Sequence, residues 1–103
     1  VSSFEVEEAL ERMAGVKEAA AFAVPSDVGD GEDEIMVAVV PREGQTLRVE
    51  DVSSFAEDVL PKFCRPRYVE IVDALPRTKT EKIQKGVLRD RGLTPATYDT
   101  VHG

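Results

Sequence analysis

Apolar and polar positions along the chain change period several times, and each change marks an element. Val6, Ala9, Leu10 and Met13 recur at helical spacing, and Gly15 follows as a stop signal. Ser2-Ser3-Phe4-Glu5 fits a capping box, with Ser2 as N-cap and Glu5 three residues on. Ala19 to Val24 is a short apolar run closed by Pro25, and Ile35 to Val40 is a second one closed by Pro41. Both read as strands, joined as a hairpin across an acidic, glycine-containing loop, Ser26 to Glu34. Val52, Phe55, Val59 and Phe63 then form a stripe that predicts a second helix facing the core, broken at Pro61. Tyr68 to Val72 alternates, with Val69 and Ile71 on one face and Glu70 on the other, the pattern of a half-buried strand. A polar segment, Arg77 to Lys82, precedes a short last helix containing Val87 and Leu88.

The expected order is α-β-β-α-β-loop-α. That predicts an α+β fold, a small mixed or antiparallel three-stranded sheet packed with about three helices. Residues 1–91 carry this pattern as one domain, and residues 92–103 have little periodicity and read as a loose tail. A length of 103 residues suits one modest core. No apolar run approaches the roughly 20 residues of a membrane span, and the opening VSSFEVEE has neither the basic nor the apolar region of a signal peptide. Cys64 is the single cysteine, which excludes an internal disulfide and reads as an inert small side chain in a reducing, cytoplasmic setting. His102, beside the terminus, is assigned no role.

The net charge of −7 conceals a division. Residues 1–61 hold 4 basic and 15 acidic side chains, whereas residues 62–91 hold 9 basic and 4 acidic. An acidic total argues against nucleic-acid binding. The local basic stretch marks an anion-facing surface or an uneven solvated one. Asp30, Glu32, Asp33 and Glu34 miss the spacing of a calcium loop and read as solvated acids, so no metal site is expected.

Chemistry concentrates in Leu75 to Arg89, LPRTKTEKIQKGVLR, with five basic residues in fifteen. A lysine on a loop that follows a strand presents a compact charge from a defined base, suited to phosphate or carboxylate oxygens. This stretch resembles the signature near the end of adenylate-forming (AMP-binding) enzymes: acyl-CoA synthetases, peptide-synthetase adenylation domains and luciferases. Its usual form is L-P-R/K-T-x-S/T-G-K-I/V-x-K/R-x-x-L-R/K. Leu75, Pro76, Arg77, Thr78, Thr80, Lys82, Ile83, Lys85, Leu88 and Arg89 match, and Glu81 stands where the family most often has glycine. Pro66-Arg67-Tyr68-Val69-Glu70 is similar to the family's preceding strand, and VSSFEVEEAL to its segment just beyond the interdomain hinge. The SSFEVE opening and the Thr80-Glu81-Lys82 variant are most similar to acyl-CoA synthetases, of the fatty-acid or carnitine-type CoA ligases.

The resemblance implies the mobile C-terminal domain of an ATP-dependent acyl-CoA synthetase. Lys82 would be the catalytic lysine for acyl-adenylate formation, reaching the carboxylate and the α-phosphate. A second orientation of the domain would carry Lys82 away and complete part of the site for CoA, the co-substrate. ATP and magnesium would be bound mainly by an N-terminal adenylation domain, which is the implied partner together with a small carboxylic acid. The 103 residues contain no Gly-rich phosphate loop of the P-loop type, so the chain alone is expected to be inactive. Ser2, Ser3 and Lys85 are candidates for CoA or phosphate contact; the serines read equally as caps, and Lys85 and Arg89 as helix-face charges. Glu81 is expected in a right-handed or extended conformation, within the first turn of the last helix. A neutralised Lys82, and with it a non-catalytic interaction module, is the competing reading. Loading of a carrier protein in place of CoA also stays open.

Overall fold

A computed structural model describes residues 3–25 and 33–100. Among them run α1 (Ser3–Glu11), β1 (Val16–Pro25), β2 (Asp33–Pro41), α2 (Val49–Val59), a short 3-10 turn (Lys62–Cys64), β3 (Tyr68–Ile71), α3 (Lys85–Arg91) and β4 (Tyr98–Asp99). The strands form one sheet in the order β1-β2-β3-β4. β1 and β2 pair antiparallel, as the hairpin reading expects; β2 and β3 pair parallel; β3 and β4 pair antiparallel. The sheet is therefore mixed, with α2 lying on the crossover that a parallel pair requires.

Side-chain alternation divides the core into two layers. Ala19, Ala21, Val37, Val39 and Val69 point to one face, where Val6, Ala9 and Leu10 of α1 and Val52 and Ala56 of α2 cover them. Ala20, Phe22, Val24, Met36, Ala38, Val40 and Tyr68 point to the other, under Leu75 and Leu88. Burial on both faces is why β1 and β2 read as continuous apolar runs and not as alternating ones.

Four expectations are corrected. The predicted stripe on α2 fails at Val59, which is 44% exposed. Leu60 precedes Pro61, so it leaves the helix for extended backbone (φ −114°, ψ 141°) while its N–H still reaches the Ala56 carbonyl. That turn sends Leu60 into the core in place of Val59. Helix α1 closes at Glu11, four residues before Gly15. Gly15 (φ +91°) instead serves the entry to β1, where its carbonyl accepts the Arg42 N–H at 2.7 Å.

The third correction concerns β3. Glu70, expected to face solvent, is buried. Its Oε1 accepts hydrogen bonds from the hydroxyls of Thr94 and Thr97 at 3.0 Å, and its Oε2 lies 3.2 Å from Arg91. The partners that bury Glu70 supply the fourth correction. The stretch after Gly92, read as loose, returns to the sheet as β4 and adds a fourth strand to the three expected. Arg67 ties the same edge together, its buried side chain lying 3.4 Å from Asp99 and 3.8 Å from Glu34. Ser2, Asp30, Glu32 and His102 lie outside the described residues, as does the proposed capping role of Ser2.

Candidate active-site lysine

After β3 the chain crosses to the α3 side, buries Leu75 and then doubles back on itself. Arg77 and Ile83 form an antiparallel bridge. The Thr78 N–H donates to the Lys82 carbonyl at 2.8 Å, and the Glu81 N–H donates to the Thr78 carbonyl at 3.0 Å. The Gln84 N–H closes the base on the Pro76 carbonyl at 2.8 Å. Three residues, Lys79 to Glu81, thus form a hairpin loop in which a tight turn is followed by one left-handed residue, a recurrent bulged geometry.

Glu81 occupies that left-handed position, with φ 68°. This corrects the expectation of right-handed or extended backbone. The Thr78–Lys82 pairing fixes the turn, and the turn demands positive φ whichever residue occupies the position. The glycine usual in the adenylate-forming signature meets the same demand without steric cost. Nor does Glu81 lie in the first turn of α3, which begins at Lys85. Its carboxylate is 4.0 Å from the Arg77 Nε and 82% exposed, so it is a solvated group leaning toward Arg77.

Lys82 follows directly. Its N–H donates to the Thr78 hydroxyl at 3.2 Å and its carbonyl accepts the Thr78 N–H, so one threonine grips both backbone polar groups. The side chain is exposed, and its ammonium has no ion-pair partner among the described residues. Most basic residues around it are engaged. Arg77 pairs with Glu18, Lys85 with Glu7, Arg91 with Glu70, and Arg67 with Glu34 and Asp99. Arg65 donates to the Leu60 and Glu57 carbonyls. Five of the nine basic residues of 62–91 are thus fold contacts, and Lys62, Lys79, Lys82 and Arg89 are left exposed.

The structure brings Ser3 and Lys85 together and gives Lys85 a carboxylate partner. The Lys85 ammonium lies 3.2 Å from the Ser3 hydroxyl and 2.7 Å from the Glu7 carboxylate. The same Glu7 oxygen accepts the Ala21 N–H at 2.8 Å, and Glu11 accepts the Ala19 N–H at 3.4 Å. Carboxylates one helical turn apart on α1 thus cover alternate donors on the free edge of β1. Sequence reading missed Glu7 in this role, and missed Glu18 altogether. The signal for Glu18 is that the two-residue period of β1 sets it on the face of Ala20 and Phe22, toward Leu75. Cys64 is buried, and the described residues hold no group of three or more potential metal ligands.

Comparison with known proteins identifies the family. The AMP-binding enzyme C-terminal domain family matches residues 5–82, ending on the candidate lysine. The chain belongs to this family. The oxalate–CoA ligase of Arabidopsis thaliana is 41% identical over 93 residues, covering 90% of the chain and 18% of that protein. The crotonobetaine/carnitine–CoA ligase of Salmonella arizonae (strain ATCC BAA-731 / CDC346-86 / RSK2980) is 34% identical over 89 residues, covering 86% of the chain and 17% of its length. Among solved structures, ATP-bound MatB from Rhodopseudomonas palustris superposes with a TM-score of 0.81 at 34% identity, over 88% of this chain and 18% of that one. The chain thus spans less than a fifth of the length of these relatives. Among the described residues no helix is long and apolar enough to cross a membrane.

Proposed function

We propose that this chain is the mobile C-terminal domain of a cytoplasmic, ATP-dependent acyl-CoA synthetase, and that Lys82 is its catalytic lysine for acyl-adenylate formation. The observation that carries the proposal is the state of Lys82: its backbone is gripped by Thr78, and its ammonium is exposed and without an ion-pair partner among the described residues. Adenylation brings a carboxylate against the α-phosphate of ATP, and two anions must approach while charge builds at phosphorus. A positioned ammonium in a cleft between domains offsets that repulsion.

The rest of the site is assigned to an N-terminal adenylation domain, which holds ATP, magnesium and the small carboxylic acid. In the second half-reaction Lys82 leaves, and another face of this domain completes the site at which CoA takes the acyl group. Ser2 and Ser3, at the start of the sequence, and Lys85, which reaches Ser3 from α3, are the candidates for that face. The Lys85–Glu7 pair makes Lys85 a clamp between α1 and α3 first and a phosphate contact second. The relatives' activity as CoA ligases favours CoA over a carrier protein as acceptor. A disabled, purely docking module gains no support from Glu81, whose carboxylate leans on Arg77 and not on Lys82.

Acid-dependent ATP–pyrophosphate exchange tests the assignment. The full-length protein is expected to catalyse exchange, its Lys82→Ala variant to lose most of it, and the isolated 103-residue chain to show none. Exchange by the isolated chain, or unimpaired exchange by the variant, overturns it.

A further inference from the structure

The geometry points to Arg77, held by Glu18 of β1, as the positioning residue for Lys82, an inference that rests on the catalytic role proposed for that lysine. Arg77 makes contacts in two directions. Its Nη1 donates to the Glu81 carbonyl at 2.8 Å, and its Nη2 pairs with the Glu18 carboxylate. The Glu81 carbonyl belongs to the peptide that leads into Lys82. That peptide follows the left-handed residue, so its orientation sets the direction in which the Lys82 side chain leaves the loop.

Glu18 sits on the sheet, 59 residues away in sequence, with its side chain 19% exposed. The guanidinium therefore bolts the tip of a polar hairpin to the rigid part of the domain. A guanidinium is fitted to this task because its planar fork serves a carboxylate and a carbonyl at once, whereas an ammonium is a single point of charge. Thr78 holds Lys82 within the hairpin; Arg77 holds the hairpin relative to the sheet. When the domain docks, the place of the ammonium is thus fixed by the sheet and not by the loop alone.

The test uses the full-length enzyme and measures both half-reactions, acyl-adenylate formation and thioester formation from pre-made acyl-adenylate. Misplacing a reacting group by about 1 Å costs up to ~10²-fold, so Arg77→Ala is expected to lower kcat for adenylation by about 10- to 100-fold. Thioester formation should stay within about twofold, because Lys82 has left by then. Arg77→Lys keeps a charge for Glu18 but loses the fork, and should retain most of the defect. Glu18→Gln is nearly isosteric; it tests the same clamp should Arg77→Ala fold poorly, and it should give the same split between half-reactions with a smaller loss. An equal fall in both half-reactions would make the contact merely structural and overturn the inference. So would adenylation within twofold of the parent in all three variants. Lys82→Ala, measured in parallel, separates the failures: if it alone collapses adenylation, only the clamp is wrong, and if it too is harmless, the catalytic reading beneath the clamp is wrong.

Discussion

Two hairpins in this domain are built on opposite principles. The β1–β2 hairpin is apolar on both faces, with helices α1 and α2 over one and Leu75 and Leu88 over the other. The hairpin from Leu75 to Gln84 buries only Leu75 and is shaped by hydrogen bonds: Thr78 to Lys82, Glu81 to Thr78, Gln84 to Pro76, and Arg77 to Glu81. Burial stabilises the first through many interchangeable contacts. The second depends on a few groups with fixed directions, each weak in net stability but decisive in geometry. The proposed function, delivery of one ammonium to a site on another domain, would use this division, because the stable part sets position and the polar part sets aim.

The contrast is broken most severely from the apolar side. Leu10 is fully buried against the sheet, and Leu10→Ala is expected to destabilise the domain by about 2–5 kcal/mol in urea denaturation. Its remaining folded molecules should show no selective loss of adenylation; a selective loss would mean that scaffold and arm are not separable. A smaller effect is expected at the far edge. Glu70→Ala strips Thr94, Thr97 and Arg91 of their shared acceptor and should cost about 1–3 kcal/mol. Amide exchange should quicken at Thr100, whose N–H donates to the Arg67 carbonyl, well before it quickens in β1. Uniform exchange across the sheet would contradict an independently held edge.

The smallest effect sharpens the contrast inside the polar hairpin. Left-handed backbone costs a residue with a Cβ about 1–2 kcal/mol, partly offset by the freedom that glycine adds to the unfolded chain. Glu81→Gly should therefore leave stability equal or raise it by up to about 1 kcal/mol, while Glu81→Val lowers it, because a β-branched side chain tolerates positive φ least. Thermal melting of the three proteins would show it; a glycine variant less stable than the valine variant would remove the strain argument.

What could be read from the sequence follows the same division. The strands and helices of the apolar scaffold announce themselves by local period, and Lys82 stands out as a candidate by its place in a motif with ordered spacing. Features made by distant partners do not. Glu70 looks solvent-facing until Thr94 and Thr97 return over it, and β4 is two residues long, too short for a period. Val59 fits its stripe perfectly, yet the proline two residues on redirects the chain and gives its place to Leu60. The backbone of Glu81 follows from cross-strand pairing of Thr78 with Lys82, which overrides the preference of the residue itself.

The central claim is that Lys82 acts in one half-reaction and is absent from the other. The direct measurement is the rate of each half-reaction in full-length Lys82→Ala, with the fold verified by an unchanged melting curve. By the usual effect of deleting one preorganised transition-state donor, acyl-adenylate formation should fall about 10²–10³-fold. Thioester formation from pre-made acyl-adenylate should remain close to the parent rate. Equal loss in both half-reactions, or none in the first, would contradict the account.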